Sequence, residues 1–351
     1  AYQVEHPLPG HAEIDPQAWT QALQQALGQL SRIRFRSLAI AGQMHGLVLV
    51  DAEGAPCRPA VLWPDRRAET QLPAWRALSA DQRTRLANPL TPGMAGPILG
   101  WIQQHEPVTL QAAQAMLQPK DYVRSGLAGG LVGERSDASA TLLWDIPADA
   151  WAGDVVEELG LPGHLLPQVV PSHEVVGTAD LPGEPAVVAG AGDTPAALLG
   201  SGGLAPGEVQ VNLGSGAQIL VGIDSPHPIA DPVTHVYADA GEAWYGMVAL
   251  QNGGLALNRV REWLQMPWDE LFAAAATFTL LAWAFAYAYV VCQALLPGSF
   301  GALAGSGNPR TWMELLFLSF TTLSGVGLGD IIPLLPMARA LVMIEQLTGV
   351  M

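Results

Sequence analysis

The run AAAATFTLLAWAFAYAYVVCQALL, Ala273 to Leu296, holds 24 residues without one charged side chain. A helix that crosses a bilayer needs about 20 predominantly apolar residues, at about 1.5 Å of rise each. A core helix of a water-exposed lobe would keep a polar face, and none is written here. The run therefore predicts a membrane-spanning helix, and it divides the chain. From Leu271 onward the charged residues are Arg310, Glu314, Asp330, Arg339 and Glu345, so nearly all of the net charge of −16 lies before them. A break this sharp predicts a boundary near Glu270. The acidity of the first part argues against nucleic acid as a partner. The two cysteines, Cys57 and Cys292, are too far apart in sequence to suggest a disulfide framework or a metal pair, so no metal site is predicted. The sequence opens at Ala1 and shows no secretory pattern.

Ahead of the break, strands and helices alternate without a strict βαβ period, which predicts an α/β domain with mixed sheets. EIDPQAWTQALQQALGQL reads as a helix capped by Asp15 with Pro16 at its first position. SLAIAGQMHGLVLVDAEG reads as strand, tight glycine turn, strand and turn. VVGTADLPGEPAVVAGAGDTPAALLG gives a strand, a glycine-rich turn at Gly190–Ala191–Gly192, and a small-residue helix. GEVQVNLGSGAQILVGID is two strands around Gly214–Ser215–Gly216, and GGLALNRVREWLQM is a helix opened by glycines. Two residues stand out chemically. Asp193 lies where a buried strand gives way to a helix: it is either a helix cap or a general base that substrate can approach across glycines. His45, bracketed by Gly42 and Gly46, is either structural or a ligand contact.

The order of LAIAGQMHG, AVLWPDRR, LQPKDYVRSGLAGG, ERSDASATLLWDI, VVAGAGDTPAALLG and VNLGSGAQ resembles the FGGY carbohydrate kinases over roughly residues 1–275. The resemblance implies an actin-like, ribonuclease H-like ATPase fold of two lobes, and ATP-dependent phosphorylation of a sugar hydroxyl, with ATP and Mg as cofactors. GQMHG and PKDY point to the xylulose-type members, hence to a ketopentose such as D-xylulose. On this resemblance Asp193 is the catalytic base. Met44, His45, Trp63, Asp65, Arg67 and Thr194 contact the sugar, Pro64 standing where the family has asparagine. Gly214, Ser215 and Gly216 form the phosphate hairpin of the second lobe, where the family prefers Gly-Thr-Ser. Lys120–Asp121–Tyr122 and Ser136–Asp137 are fold residues. The family's opening D-x-G-T strand pair and its adenosine loop have no counterpart in these 351 residues, so the second lobe is expected to be incomplete and ATP turnover impaired. The implied division is a sugar-binding lobe over residues 1–205, the start of a second lobe over 206–271, and a tail over 272–351.

The tail has its own pattern. After the uncharged run comes PGSFGALAGSGNPR, read as a loop. Then come TWMELLFLSFTTL, an apolar helix too short to span, the loop LSGVGLGD, and IIPLLPMARALVMIEQLTGVM. Span, short re-entrant helix, glycine-alternating loop and second apolar helix resemble a two-helix potassium-channel pore, an all-α module. On that resemblance Gly325, Val326, Gly327, Leu328, Gly329 and Asp330 form the ion filter, whose carbonyls replace hydration water. Gly325 stands at the usual threonine position and Leu328 at the usual tyrosine. Residues 273–296 and 334–351 meet lipid, and four copies assemble around one pore. Arg259 and Arg261 precede the span, while no charge follows it until Arg310, so the kinase part is expected on the cytoplasmic side of an inner or plasma membrane. Two readings stay open: an accidental join of a truncated kinase to a truncated pore, and a membrane protein whose sugar-binding domain is attached to a potassium-selective pore.

Overall fold

The computed structural model describes residues 3–213, 216–229, 231–250, 258–259, 261–262, 265, 267–302, 309–326 and 331–350. It divides into two compact units, Ala1–Gly253 and Gly254–Met351. The helix expected over 253–266 lies mostly outside the described residues.

In the first unit, helix α1 (Gln17–Gln29) starts one residue later than the sequence suggests, and the Asp15 carboxylate accepts the Gln17 N–H at 2.9 Å. An extended stretch follows as β1 (Ser37–Leu38) and β2 (Ala41–Gly42), and then β3 (Val48–Val50). Helix α2 (Ala95–His105) sends Ile98, Leu99 and Ile102 fully into the core. Strand β4 (Ala115–Leu117) pairs antiparallel with β3, and every residue of that pair is buried. Helices α3 (Pro119–Ala128) and α4 (Arg135–Ala138) lie beneath the next strands, β5 (Val175–Thr178), β6 (Ala186–Val188) and β7 (Ala191–Gly192). β6 runs parallel to β1 and β7 parallel to β2, whereas β5 is antiparallel to β6. The expected turn at 190–192 is instead a kink at Gly190 (φ +83°), after which Ala191 and Gly192 re-enter the sheet. Helix α5 (Asp193–Gly200) leaves directly from β7.

Strands β8 (Val209–Leu213), β9 (Ala217–Ile223), β10 (His235–Ala238) and β11 (Trp244–Leu250) make one antiparallel sheet in the order β8-β9-β11-β10. One face is apolar and covered: Leu220, Tyr237, Tyr245 and Met247 join Met44, Leu47, Trp75 and Ile98 in a continuous core. Trp75 shows how such a core stays polar-satisfied, for its buried indole N–H donates to the Leu142 carbonyl at 3.2 Å.

The second unit holds α6 (Trp268–Leu295), β12 (Phe300–Ala302), α7 (Trp312–Leu323), β13 (Ile331–Pro333) and α8 (Pro336–Val350). Within α6, Ala273–Leu295 is long and apolar enough to cross a membrane, and only 22% of its most apolar stretch is buried. Leu280, Trp283, Tyr287 and Val291 stay exposed, while Tyr289 and Cys292 turn inward against Phe300, Leu315, Leu318, Ile331 and Ala338. Thr311 and Glu314 close a reciprocal cap on α7. The segment read as a loop after the span contains β12, which pairs antiparallel with β13. Two three-residue strands about 30 positions apart leave no local periodicity to read.

Candidate active site

Parallel strands bring their carboxyl ends to one edge, and ligands of open α/β sheets bind there. The register Ala191↔Ala41 and Gly192↔Gly42 therefore sets the residues after β2 beside those after β7. Two sequence-predicted groups meet at that edge, Met44–His45 from one strand and Asp193–Thr194 from the other. Contact is close because position 192 is glycine: a Cβ there would lie 2.6 Å from Met44 Cγ.

His45 adopts the left-handed backbone conformation (φ +71°), which is uncommon outside glycine and asparagine. Its ring is fixed from two sides, by the Ala140 carbonyl 2.9 Å from Nδ1 and by the Tyr237 ring at 5.6 Å. Burial pushes the His45 imidazole below its ordinary value, and the Ala140 bond and the Asp193 charge only partly oppose it. Asp193 is exposed, and its Oδ1 accepts the Thr194 N–H at 2.8 Å. Its other oxygen makes no hydrogen bond among the described residues, so this carboxylate is open to an incoming hydroxyl. The cap position of α5 belongs to Gly192, not to Asp193.

The antiparallel sheet adds residues that the sequence reading missed. The Tyr245 hydroxyl lies 4.0 Å from Met44 Sδ. The Tyr237 hydroxyl lies 2.6 Å from His235 Nδ1, a hydrogen-bond distance, and Asn88 ties this strand down by accepting the Val236 N–H and donating to the Val236 carbonyl. Burial, with a smaller push from His45, lowers His235 to about 4. Burial raises both tyrosine hydroxyls well above their usual value. The signal was the period-2 run His235-Val-Tyr237, which places two hydrogen-bonding rings on one strand face.

Beneath the strand ends lies a buried charge cluster from α3 and α4. The Lys120 ammonium sits 2.7 Å from Asp121, 3.2 Å from Asp137 and 3.4 Å from Glu134. Ser136 Oγ accepts the Gly192 N–H at 3.0 Å and donates to Glu134. Burial alone would lower the Lys120 value, but the three carboxylates outweigh it and raise it. Burial also raises Asp121 and Asp137 against the pull of Lys120.

Other expected sugar contacts are placed differently. Asp65 is buried and accepts the Ala12 N–H, the Arg67 N–H and two guanidinium N–H bonds of Arg67. Arg67 also pairs with Glu13 at 2.7 Å and lies over the Trp101 ring. Neither bonds to Met44, His45 or Asp193. Trp63 is half exposed. Gly214 and Ser215 lie outside the described residues, while Gly216 immediately precedes β9. In the tail, Gly325 has φ +69° and its N–H bonds to the Thr322 carbonyl, and Val326 is exposed. Gly327, Leu328, Gly329 and Asp330 lie outside the described residues. No group of three or more metal-donor side chains occurs among the described residues, so magnesium has no assigned ligand set.

A family model for the N-terminal domain of the FGGY family of carbohydrate kinases matches residues 1–200. The chain belongs to the FGGY carbohydrate kinases. A second family model, described as an ion channel, matches residues 275–351, so this FGGY chain joins a kinase part to a channel-like tail. It is 35% identical over 273 residues to a xylulose kinase of Streptomyces coelicolor, covering 71% of this chain and 54% of that protein. It is 33% identical over 227 residues to a xylulose kinase of Escherichia coli, covering 60% and 46%. The chain thus spans about half the length of the curated relatives it matches. Among solved structures, a "xyloylose kinase" from Brucella ovis superposes with a TM-score of 0.66 at 29% identity, covering 75% of this chain and 57% of that one. The xylulose kinase from Rhodospirillum rubrum, at 24% identity and a TM-score of 0.72 over 92% of this chain and 71% of that one, supports the actin-like fold.

Proposed function

We propose that the first unit binds a ketopentose of the xylulose type and phosphorylates one of its hydroxyls with ATP. The observation that carries this is the parallel register of β2 and β7, which sets Met44 and His45 beside the open carboxylate of Asp193. Asp193 accepts the proton of the sugar hydroxyl as that oxygen attacks the γ-phosphorus. His45, neutral at pH 7, holds the sugar by hydrogen bonding, and the thioether of Met44 packs on its carbon face. Thr194 and Tyr245 complete the polar and apolar edges. Phosphoryl transfer of this kind rests mainly on positioning, so a neutral, immobilised imidazole and a fixed strand edge are suitable parts. Closure of a nucleotide-bearing lobe would exclude water. The kinase part is divided as a lobe over residues 1–205 and the start of a second over 206–271.

Residues 272–351 act as a membrane module in this reading, with Ala273–Leu295 spanning, α7 re-entrant and α8 returning. Four chains line one potassium-type pore, and the kinase part lies on the cytoplasmic side. The exposed apolar surface of α6 and the ion-channel match support it.

Calorimetry of the full chain in detergent with D-xylulose tests the first part. Heat at millimolar sugar, lost in Met44→Ala and retained in Asp193→Asn, is expected, together with sugar-dependent ADP release that is slow and that Asp193→Asn abolishes. A folded chain that takes no xylulose at millimolar concentration overturns the assignment. For the tail, a reporter fused after Val350 is expected to be active only in the cytoplasm, and a full-length chain that stays out of the membrane fraction refutes the module.

A further inference from the structure

Glu345 lies in the middle of α8, yet its side chain is fully buried where α6, α7 and α8 meet. The Tyr289 hydroxyl of α6 bonds to its Oε2, and Ser319 Oγ of α7 bonds to its Oε1. The same Ser319 Oγ is 2.7 Å from the carbonyl oxygen of Ala282 on α6. No cation pairs with Glu345 among the described residues. Arg310 pairs with Glu314 at the start of α7, and Arg339 Nε donates to the Pro333 carbonyl. Asp269 and Glu270 are exposed at the start of α6, and Cys292 contacts Ser299.

A proton count settles how these groups fit. Five oxygens are joined by three contacts, and each contact needs one proton. Tyr289 supplies one and Ser319 supplies one. With an ionised Glu345 the Ser319 oxygen would face either the carboxylate or the Ala282 carbonyl without a proton between them, in a buried place where that is costly. A neutral acid completes the chain. Tyr289 donates to Glu345, Glu345 donates to Ser319, and Ser319 donates to Ala282.

A second rung lies one turn further on. A Cβ at Gly349 would fall 2.1 Å from the Leu323 carbonyl oxygen, so the two backbones touch there. Glu345 and Gly349 are four apart on α8, as Ser319 and Leu323 are on α7, so both pairs lie along one helix–helix seam. On α6, Ala282, Ala286 and Tyr289 line the facing side and are fully buried. Small residues with hydrogen bonds between helices are how apolar helices hold together where water offers no hydrophobic drive.

We propose that Glu345 is a neutral carboxylic acid and a positioning residue. It latches α8 to α7 and α6, and so fixes the end of α7 from which residues 324–326 lead away. The latch itself is read from the helices of the tail, and only its electrical consequence rests on the pore reading.

Two measurements on the full chain test it. Infrared difference spectra of wild type against Glu345→Gln in detergent, at neutral pH, are expected to show the C=O stretch of a protonated carboxyl group, shifted in D2O and missing from the variant. Absence of that band overturns the proposal. Potassium flux from reconstituted vesicles should fall roughly tenfold or more in Glu345→Leu and Ser319→Ala, since each breaks buried hydrogen bonds. Glu345→Gln, which keeps one donor and one acceptor, should stay within about twofold of wild type. Wild-type flux in Glu345→Leu overturns the positioning role. If wild type carries no flux but shows the band, the pore reading fails on its own. Melting in detergent then decides the latch: Glu345→Leu melting below Glu345→Gln supports it, and equal melting refutes it.

Discussion

Replacing Lys120 by methionine removes the single ammonium that touches Asp121, Asp137 and Glu134, all of them buried. Methionine fills much the same volume, so the packing change is small and the electrostatic change large. Breaking a buried ion pair by deleting one partner costs about 3–5 kcal/mol, because a charge is left without compensation. Arg124 is 3.8 Å from Asp121 and softens the loss for that residue only. For a unit of this size the expected drop in melting temperature is about 6–20 °C. The pH dependence follows from the directions of the shifts. Burial already holds Asp121 and Asp137 above the ordinary carboxylate range, and removing Lys120 raises them further. A group raised on folding contributes stability below its unfolded value, near pH 4, and loses that contribution as pH climbs through its folded value. The gap between wild type and Lys120→Met should therefore be small near pH 4 and widen towards pH 8. Calorimetry of the full chain reads the gap, and hydrogen exchange of residues 115–140 assigns the transition to the first unit. An unchanged melting temperature, or a gap that does not vary with pH, would show that the cluster is not an ionic one.

Several further outcomes can be checked. Gly192→Ala puts a methyl 2.6 Å from Met44 Cγ, and xylulose affinity measured by calorimetry should fall several-fold with the unit still folded. Asp65→Asn should lower the melting temperature by an amount matching about 1–3 kcal/mol while leaving sugar affinity of the folded fraction unchanged, because Asp65 is tied to Arg67 and Ala12. The folded value of His235 is depressed to about 4, so stability present above the unfolded value near 6.5 is lost as pH falls, by up to about 3 kcal/mol at pH 4. His235→Asn should flatten that acid limb in a melting-against-pH series. Gly325→Ala, at φ +69°, should lower detergent melting by about 1–2 kcal/mol, read from denaturant midpoints.

The strand–turn–strand around Met44 and His45 and the helix starting at Asp193 were legible because each is a local pattern of glycine punctuation between apolar runs. The register between the two was not, since parallel pairing joins residues about 150 positions apart and no sequence period encodes it. The network around Asp65 and Arg67 was hidden for a related reason, because Glu13 and Trp101, which complete it, come from distant segments. Tyr237 and Tyr245 were missed because a tyrosine within an alternating strand reads as packing until its facing residue is known. The long apolar helix was legible because composition alone decides it, whereas the β12–β13 pair was hidden in residues that carry only loop signals.

Buried acids in the two units meet different partners, and the composition break explains why. In the first unit charged residues are abundant, so Asp121, Glu134 and Asp137 share a lysine, whose attraction opposes the burial that raises Asp121 and Asp137. In the tail, where charged residues are few, Glu345 meets the hydroxyls of Tyr289 and Ser319, and Ser319 in turn meets the Ala282 carbonyl. An ionised acid in such surroundings would carry a large desolvation penalty without a counter-charge. Only a neutral form, with every proton given an acceptor, is compatible with the neighbours that this stretch of sequence supplies. The scarcity of charge that makes α6 able to enter a bilayer thus also dictates the chemistry of the one acid that the tail buries among its described helices.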